Sequence, residues 1–320
     1  MPELRRAVRA IGLIVTFACV ACTAANGRGL PETADRIGAG RQVIIIGSFD
    51  FPESVLLAYL YAGVLAARGY PVRVMPDLGP RELVDSALMT GLIQMVPEYA
   101  GSALEFVSLD RIHATADAAV TMAALTRSLA ARGLVAGGPA RAQDANAVVV
   151  TAATAARYHL RSVSDLAAVA PRLTFGGPPE CPERPYCLPG LLRVYGLRFH
   201  AFIGLDAGGP LTRQALDSGD IGVALLFTTD PDIRAMHLVV LADDRGLQPV
   251  ENIVPVLRRG TVEPYGPGLL FTLNAVSARL TTAVVASLYG LVELRGRGAQ
   301  AVADSWLRSQ GLLGHIGKRS

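Results

Sequence analysis

The side chains that could do chemistry in this chain are few and dispersed. His113, His159, His200, His237 and His315 share no HExxH or paired metal-ligand spacing. There is no P-loop, no GxGxxG opening a helix after a strand, and no GxSxG elbow. Asp243-Asp244 and Glu180/Glu183 are acidic pairs that read as solvated loop charges. What stands out is Cys181 and Cys187, in GGPPECPERPYCLPGL. An even cysteine pair in an exported chain reads as a disulfide. A metal would need two further ligands, and the nearest histidine, His200, offers no ligand spacing. Closing so short a loop stabilises by roughly 2 kcal/mol in the chain-entropy account, enough to stiffen one loop but not to hold a domain. No catalytic constellation, metal site or cofactor motif emerges, so binding rather than turnover is expected.

The first segment explains why the chain reads as exported. Arg5, Arg6 and Arg9 precede an apolar run at 10–21, then Cys22 and small residues. Basic, apolar, small is the three-part secretory signal. The run is far shorter than the ~20 residues a membrane-crossing helix needs. Val20-Ala21-Cys22 is similar to a bacterial lipobox, with Cys19 standing where a leucine-like residue is preferred, so Cys22 is expected to carry lipid; ordinary cleavage is the alternative. Two or more acyl chains would hold the protein on a membrane face. Residues 23–41 are small, polar and glycine-bearing, and read as a flexible tether. With 30 basic against 27 acidic residues the net charge is +3, too small for electrostatic capture of nucleic acid. Of the 30, only Lys318 is lysine.

The 320 residues amount to about two domains at ~150 residues each. They alternate strand-like and helix-like segments. QVIIIG at 42–47 is a short apolar run ending in glycine, as in a strand buried on both faces. Helical spacing follows over Pro52–Ala67, with Pro52 in the first turn and Gly69 past the end. Strands are predicted at 71–75, 147–151, 173–177, 199–204, 221–226 and 238–243, a helix at 80–90 closed by Gly91, and a strand, loop and helix start within LIQMVPEYAGSA. Such alternation predicts parallel sheets in an α/β architecture. Ligands sit at the carboxyl ends of the strands in such sheets, which singles out the loops at 48–53, 98–102, 176–189 and 227–230.

GSFDFPESVLLAYLYAGVLAARGYPVRV and ELVDSALMTGLIQMVPEYAGSALEF, followed by ERPYCLPGLLRVYGL, LDSGDIGVALLFTTD and IVPVLRR, resemble in order the segments of the ProX/OpuAC family. These are the substrate-binding proteins of ABC importers for glycine betaine, choline and carnitine. The family pattern reads approximately GSK-x-FTE, then LxxGxIDxxPEYTGT, then R-x-DGLPGL. The resemblance covers about 42–315 and implies the two-lobed class II periplasmic-binding-protein fold, with two α/β lobes joined by crossover strands near 144–148 and 250–254. Residues 42–145 plus 252–316 would form lobe I and 146–251 lobe II. It implies no enzyme activity, no cofactor and no metal. The expected partners are a small solute, the ABC permease and ATPase subunits, and the membrane through the N-terminal lipid. No nucleic acid is expected, and the protein would act as a monomer.

By motif, Tyr99 of PEYAGS matches a cage tyrosine and Ser102 the threonine donor three positions on. Arg184 matches the arginine that takes a ligand carboxylate. Asp144 falls two positions before a second cage position, which is Asn146 here and not tyrosine. Ser48 and Phe49 stand in the GSK segment, Phe49 replacing the lysine, and Phe227 is the aromatic of ALLFTTD. VENIVPV carries no aromatic residue where relatives often do. The motifs therefore place one ring, Tyr99, where three or four are usual. That would lower the cation–π contribution by ~2–4 kcal/mol, or ~30–1000-fold in affinity. Phe49, Tyr99, Phe227 and Arg184 would instead suit a neutral or aromatic, hydroxyl-bearing solute. A binding module that signals to a cell-envelope partner, or an exported enzyme on a similar two-lobed fold, are the other functional classes.

Overall fold

A computed structural model describes residues 42–109 and 111–313; the signal segment, Cys22, the tether and His315 lie outside them. The strands, in chain order, are β1 (Ile44–Gly47), β2 (Val72–Met75), β3 (Met95–Tyr99), β4 (Leu134–Ala136), β5 (Asn146–Val150), β6 (Thr174–Gly177), β7 (Ala201–Gly204), β8 (Val223–Phe227), β9 (Val239–Val240) and β10 (Ile253–Arg258). They make two five-stranded sheets, ordered β2-β1-β3-β10-β4 and β7-β6-β8-β5-β9. The α/β, two-lobed architecture expected from the sequence is present.

The sheets are mixed, which corrects the expectation of parallel pairing. β1 runs parallel to β2 and β3, and β6 parallel to β7 and β8. β10 is antiparallel to β3 and β4, and β5 is antiparallel to β8 and β9. The reason is topological: β5 and β10 are the strands by which the chain enters the other lobe. A strand arriving from the cleft runs away from it, whereas the strands it joins run toward it. The two passages pair with each other: Gln143 bridges Asn252, Asp144 N donates to Glu251 O at 3.0 Å, and Ile253 N donates to Ala142 O at 3.1 Å.

The helix Pro52–Ala67 forms where its apolar spacing predicts, with Pro52 at its first position. Leu56, Leu57, Leu60, Tyr61, Val64 and Leu65 are all fully buried. A helix apolar on every side must be covered on every side. Here the first sheet and the helices Pro267–Ser277, Thr282–Glu293 and Ala299–Ser309 cover it. The Tyr61 hydroxyl, within this core, pairs with Ser277 Oγ at 2.9 Å. Helix Arg81–Thr90 ends on Gly91 at φ +87°, a left-handed C-cap that glycine adopts without strain.

Candidate functional site

A cavity of about 360 Å³ opens between the lobes, at the low end of the ~300–1,000 Å³ of small-molecule sites. All four loops singled out from the sequence contribute to its lining: Phe49 and Phe51 from the first, Tyr99 and Ser102 from the second, 178–187 from the third, and Phe227 from the fourth. Two motif glycines let these loops close up. A Cβ on Gly101 would lie 2.8 Å from Val250 O, and one on Gly190 would lie 2.2 Å from Pro185 O. The returning passage and the disulfide loop each occupy the space a side chain would need.

Four rings form a continuous aromatic wall. Phe51 lies at its centre, its ring centroid 5.8 Å from Phe49 at an interplanar angle of 7°, 6.0 Å from Tyr99 and 5.5 Å from Phe227. Phe49 and Tyr99 are 6.4 Å apart. The wall is richer than the single ring the motifs place, because Phe49 and Phe227 line the cavity and Phe51 joins them. Phe51 and Glu53 fall within the loop 48–53 singled out from the sequence, but the sequence reading assigns no role to either, although both match the FTE of the family pattern in FDFPE. Phe51 is the N-cap of helix Pro52–Ala67 and Glu53 lies in its first turn, where apolar spacing carries no signal, so beyond the loop itself only the motif points to them.

Behind the wall lie buried acids. Tyr99 donates its hydroxyl to Glu53 Oε1 at 2.8 Å, and the Thr229 hydroxyl donates to Glu53 Oε2 from the other lobe. Burial, and then the nearby Asp144 charge, hold Glu53 well above the usual carboxylate range. Asp144 lines the cavity. Its Oδ1 accepts from Thr229 N at 2.9 Å and Thr228 Oγ1 at 3.2 Å, and burial pushes its pKa up to about 6.

Glu251 also lines the cavity and sits at the start of helix Ala100–Ser108. It accepts from Gly101 N at 2.9 Å, Ser102 N at 3.0 Å and Ser102 Oγ at 2.5 Å. These donors and the helix dipole favour an anion there. Burial outweighs them and moves its pKa up to about 7.

Both arginines at the cavity already face a carboxylate. Arg81 donates from Nε and Nη2 to Glu98 at 3.2 and 3.0 Å, with its guanidinium 5.1 Å from the Phe49 ring centroid. Asp85, beside them, is raised to about 8 by burial and by the Glu98 charge. Arg184 lines the cavity mouth and donates to Glu82 across the cleft at 2.8 Å. Asn146 Nδ2 donates to Tyr186 O at 3.2 Å and Gln248 Oε1 at 3.1 Å, holding lobe II together. Ser48 is fully buried and outside the lining. Its hydroxyl donates to Phe49 O and accepts from Asp77 N, which shapes the loop under the rings. Of the residues singled out from the sequence, Phe49, Tyr99, Ser102, Asp144, Asn146, Arg184 and Phe227 converge on the cavity. Cys181 and Cys187 are joined in a disulfide with their Cα atoms 5.3 Å apart. Among the described residues no group of His, Cys, Asp and Glu is arranged to hold a metal ion.

Residues 42–309 match the family of substrate-binding domains of ABC-type glycine betaine transport systems. A glycine-betaine-binding protein of Pseudomonas aeruginosa is 30% identical over 311 residues, covering 94% of this chain and 96% of that protein. The glycine betaine-binding protein YehZ of Escherichia coli is 25% identical over 278 residues, 83% of this chain and 90% of its own. In fold, the chain is similar to a crystal structure of a glycine betaine/carnitine/choline ABC transporter. The TM-score is 0.67 at 22% identity, over 84% of this chain and 99% of that one.

Proposed function

Since the chain belongs to the family of substrate-binding domains of ABC-type glycine betaine transport systems, and is a transport component and not an enzyme, we propose that it captures a quaternary-ammonium osmoprotectant between its lobes. It would deliver that solute to the permease and ATPase subunits with which such proteins work. Glycine betaine, choline and carnitine are the candidates. The observation that carries the choice among them is the state of the donors. A trimethylammonium group has no N–H to offer and is attracted to ring faces, at ~0.5–2 kcal/mol each. Phe49, Phe51, Tyr99 and Phe227 supply such faces beside Asp144. A carboxylate tail would need cations or N–H donors. Here Glu251 accepts the N–H groups of Gly101 and Ser102, Arg81 is paired with Glu98 in the buried interior, and Arg184 is turned to Glu82 at the mouth. The pocket therefore favours a cation without a carboxylate, choline before glycine betaine.

A second reading rests on the same acceptors. Nearly parallel Phe49 and Phe51 rings present flat faces, and the surrounding carboxylates accept from hydroxyls. A neutral, hydroxyl-bearing aromatic solute would satisfy both. A thermal-shift panel on the chain from residue 23 onward separates the readings. A ligand at 100 times its Kd adds ~2.7 kcal/mol, a few degrees for a protein of this size. A shift with choline, smaller with glycine betaine and absent with phenols, supports the first reading. A shift with phenols alone supports the second.

Two finer assignments belong to the same reading. Residues 42–145 with 252–316, and 146–251, are the units that move against each other. The protein is held at the outer face of the membrane by lipid on Cys22, so Cys22→Ser would release it to the soluble fraction.

A further inference from the structure

Several contacts join the lobes, among them Thr229 to Glu53 and Arg213 to Glu293; at the cavity mouth, two come from one short loop. Arg184 reaches Glu82, and the Tyr186 hydroxyl donates to Glu105. The first pair is partly solvated, with side-chain exposures of 27% and 49%, and so worth little. The second is buried at both ends.

Each half of the second contact is fixed within its own lobe. Glu105 accepts from Ala114 N at 3.2 Å and lies 3.1 Å from His113 Nδ1, both in lobe I. On the other side, the Tyr186 carbonyl accepts from Asn146 Nδ2 and from Gln248 Nε2 at 3.2 and 3.0 Å. The Cys181–Cys187 disulfide closes the loop around it. The Tyr186 backbone and the Glu105 carboxylate are thus both held in place. The bond therefore forms when the lobes approach.

We propose that Tyr186 is a positioning residue, a latch that the disulfide loop presents to Glu105 so that the lobes favour closure before any solute arrives. A ligand binding a protein already partly closed loses less of its affinity to the closing step. The latch acts on the lobe equilibrium, so it holds whichever solute the cavity takes.

The test is small-angle scattering of the ligand-free protein. Tyr186→Phe keeps the ring and removes the donor, and the radius of gyration should rise above that of the wild type at an unchanged melting temperature. Glu105→Gln keeps an acceptor and should expand the protein less. Where choline binds, Tyr186→Phe should weaken it about tenfold, mostly through faster release. Superimposable scattering curves for Tyr186→Phe and wild type would overturn the proposal. So would expansion in Glu105→Gln without expansion in Tyr186→Phe.

Discussion

Lobe I seals its central helix, Pro52–Ala67, inside one continuous apolar cluster that runs to Leu312, whereas lobe II holds two smaller clusters, one on each face of its sheet. The cleft shows the same inequality. Lobe I contributes three of the four rings, with Glu53 behind them, while Glu251 stands on the returning passage between the lobes. Lobe II contributes Phe227 and the loop closed by Cys181–Cys187. With the same strand order in both, the difference lies in what stands at the strand ends. One lobe carries a binding surface on a large core, and the other a cap whose loop is held by a covalent bond where packing is thinner.

The largest effect should follow from removing the centre of the wall. Phe51→Ala deletes a ring packed against three others. With its own cation–π face gone and the neighbouring rings unsupported, at ~0.5–2 kcal/mol for each face lost, choline affinity by calorimetry should fall at least ~10-fold. Phe227→Ala, with one ring partner, should cost ~3–10-fold. Equal losses would break the asymmetry between the lobes. Replacing both cysteines by serine should lower stability by roughly 2 kcal/mol. Hydrogen exchange should rise in the loop and its neighbours in lobe II and stay unchanged around Pro52–Ala67; uniform acceleration would show that the two cores are not separable.

The buried acids give a pH signature. Asp144 at about 6, Glu251 and Asp230 at about 7 and Asp85 at about 8 are all raised, first of all by burial. In the unfolded chain these groups titrate near ~4. Between there and pH 8 the folded protein therefore holds more protons, and its stability falls as pH rises. The melting point of the ligand-free protein should drop by a few degrees from pH 5 to pH 8. A bound cation offsets the growing negative charge, so its stabilising shift should be larger at pH 8 than at pH 5. The smallest effect belongs to Arg184→Ala. Its partner Glu82 is half exposed, and choline affinity should change less than threefold; a larger loss would give Arg184 a direct role in holding the solute.

Much of this was legible in the sequence because short-range chemistry carried it. Pro52 at a helix start, Gly91 at a helix end and the apolar runs before each loop place the elements and the four loops of the cavity. The pairing of Cys181 with Cys187 follows from their number and the exported context. What escaped was long-range. Parallel sheets were expected because helix–strand alternation cannot show that β5 and β10 cross between lobes. Glu251 could not be tied to Gly101 and Ser102, 150 residues away in the chain. Nor does the sequence pair Arg184 with Glu82, which lies 102 residues away on the other lobe.

The central claim is that the cavity reads positive charge on an aromatic face. Its most direct test compares choline with 3,3-dimethyl-1-butanol, the neutral analogue in which carbon replaces nitrogen, by titration calorimetry at pH 7.5. The shapes are alike, so packing and burial cancel and the charge remains. The wall and the acids behind it predict that choline binds at least tenfold tighter. Equal affinities, or tighter binding of the neutral alcohol, would contradict that claim and assign the pocket to an uncharged solute.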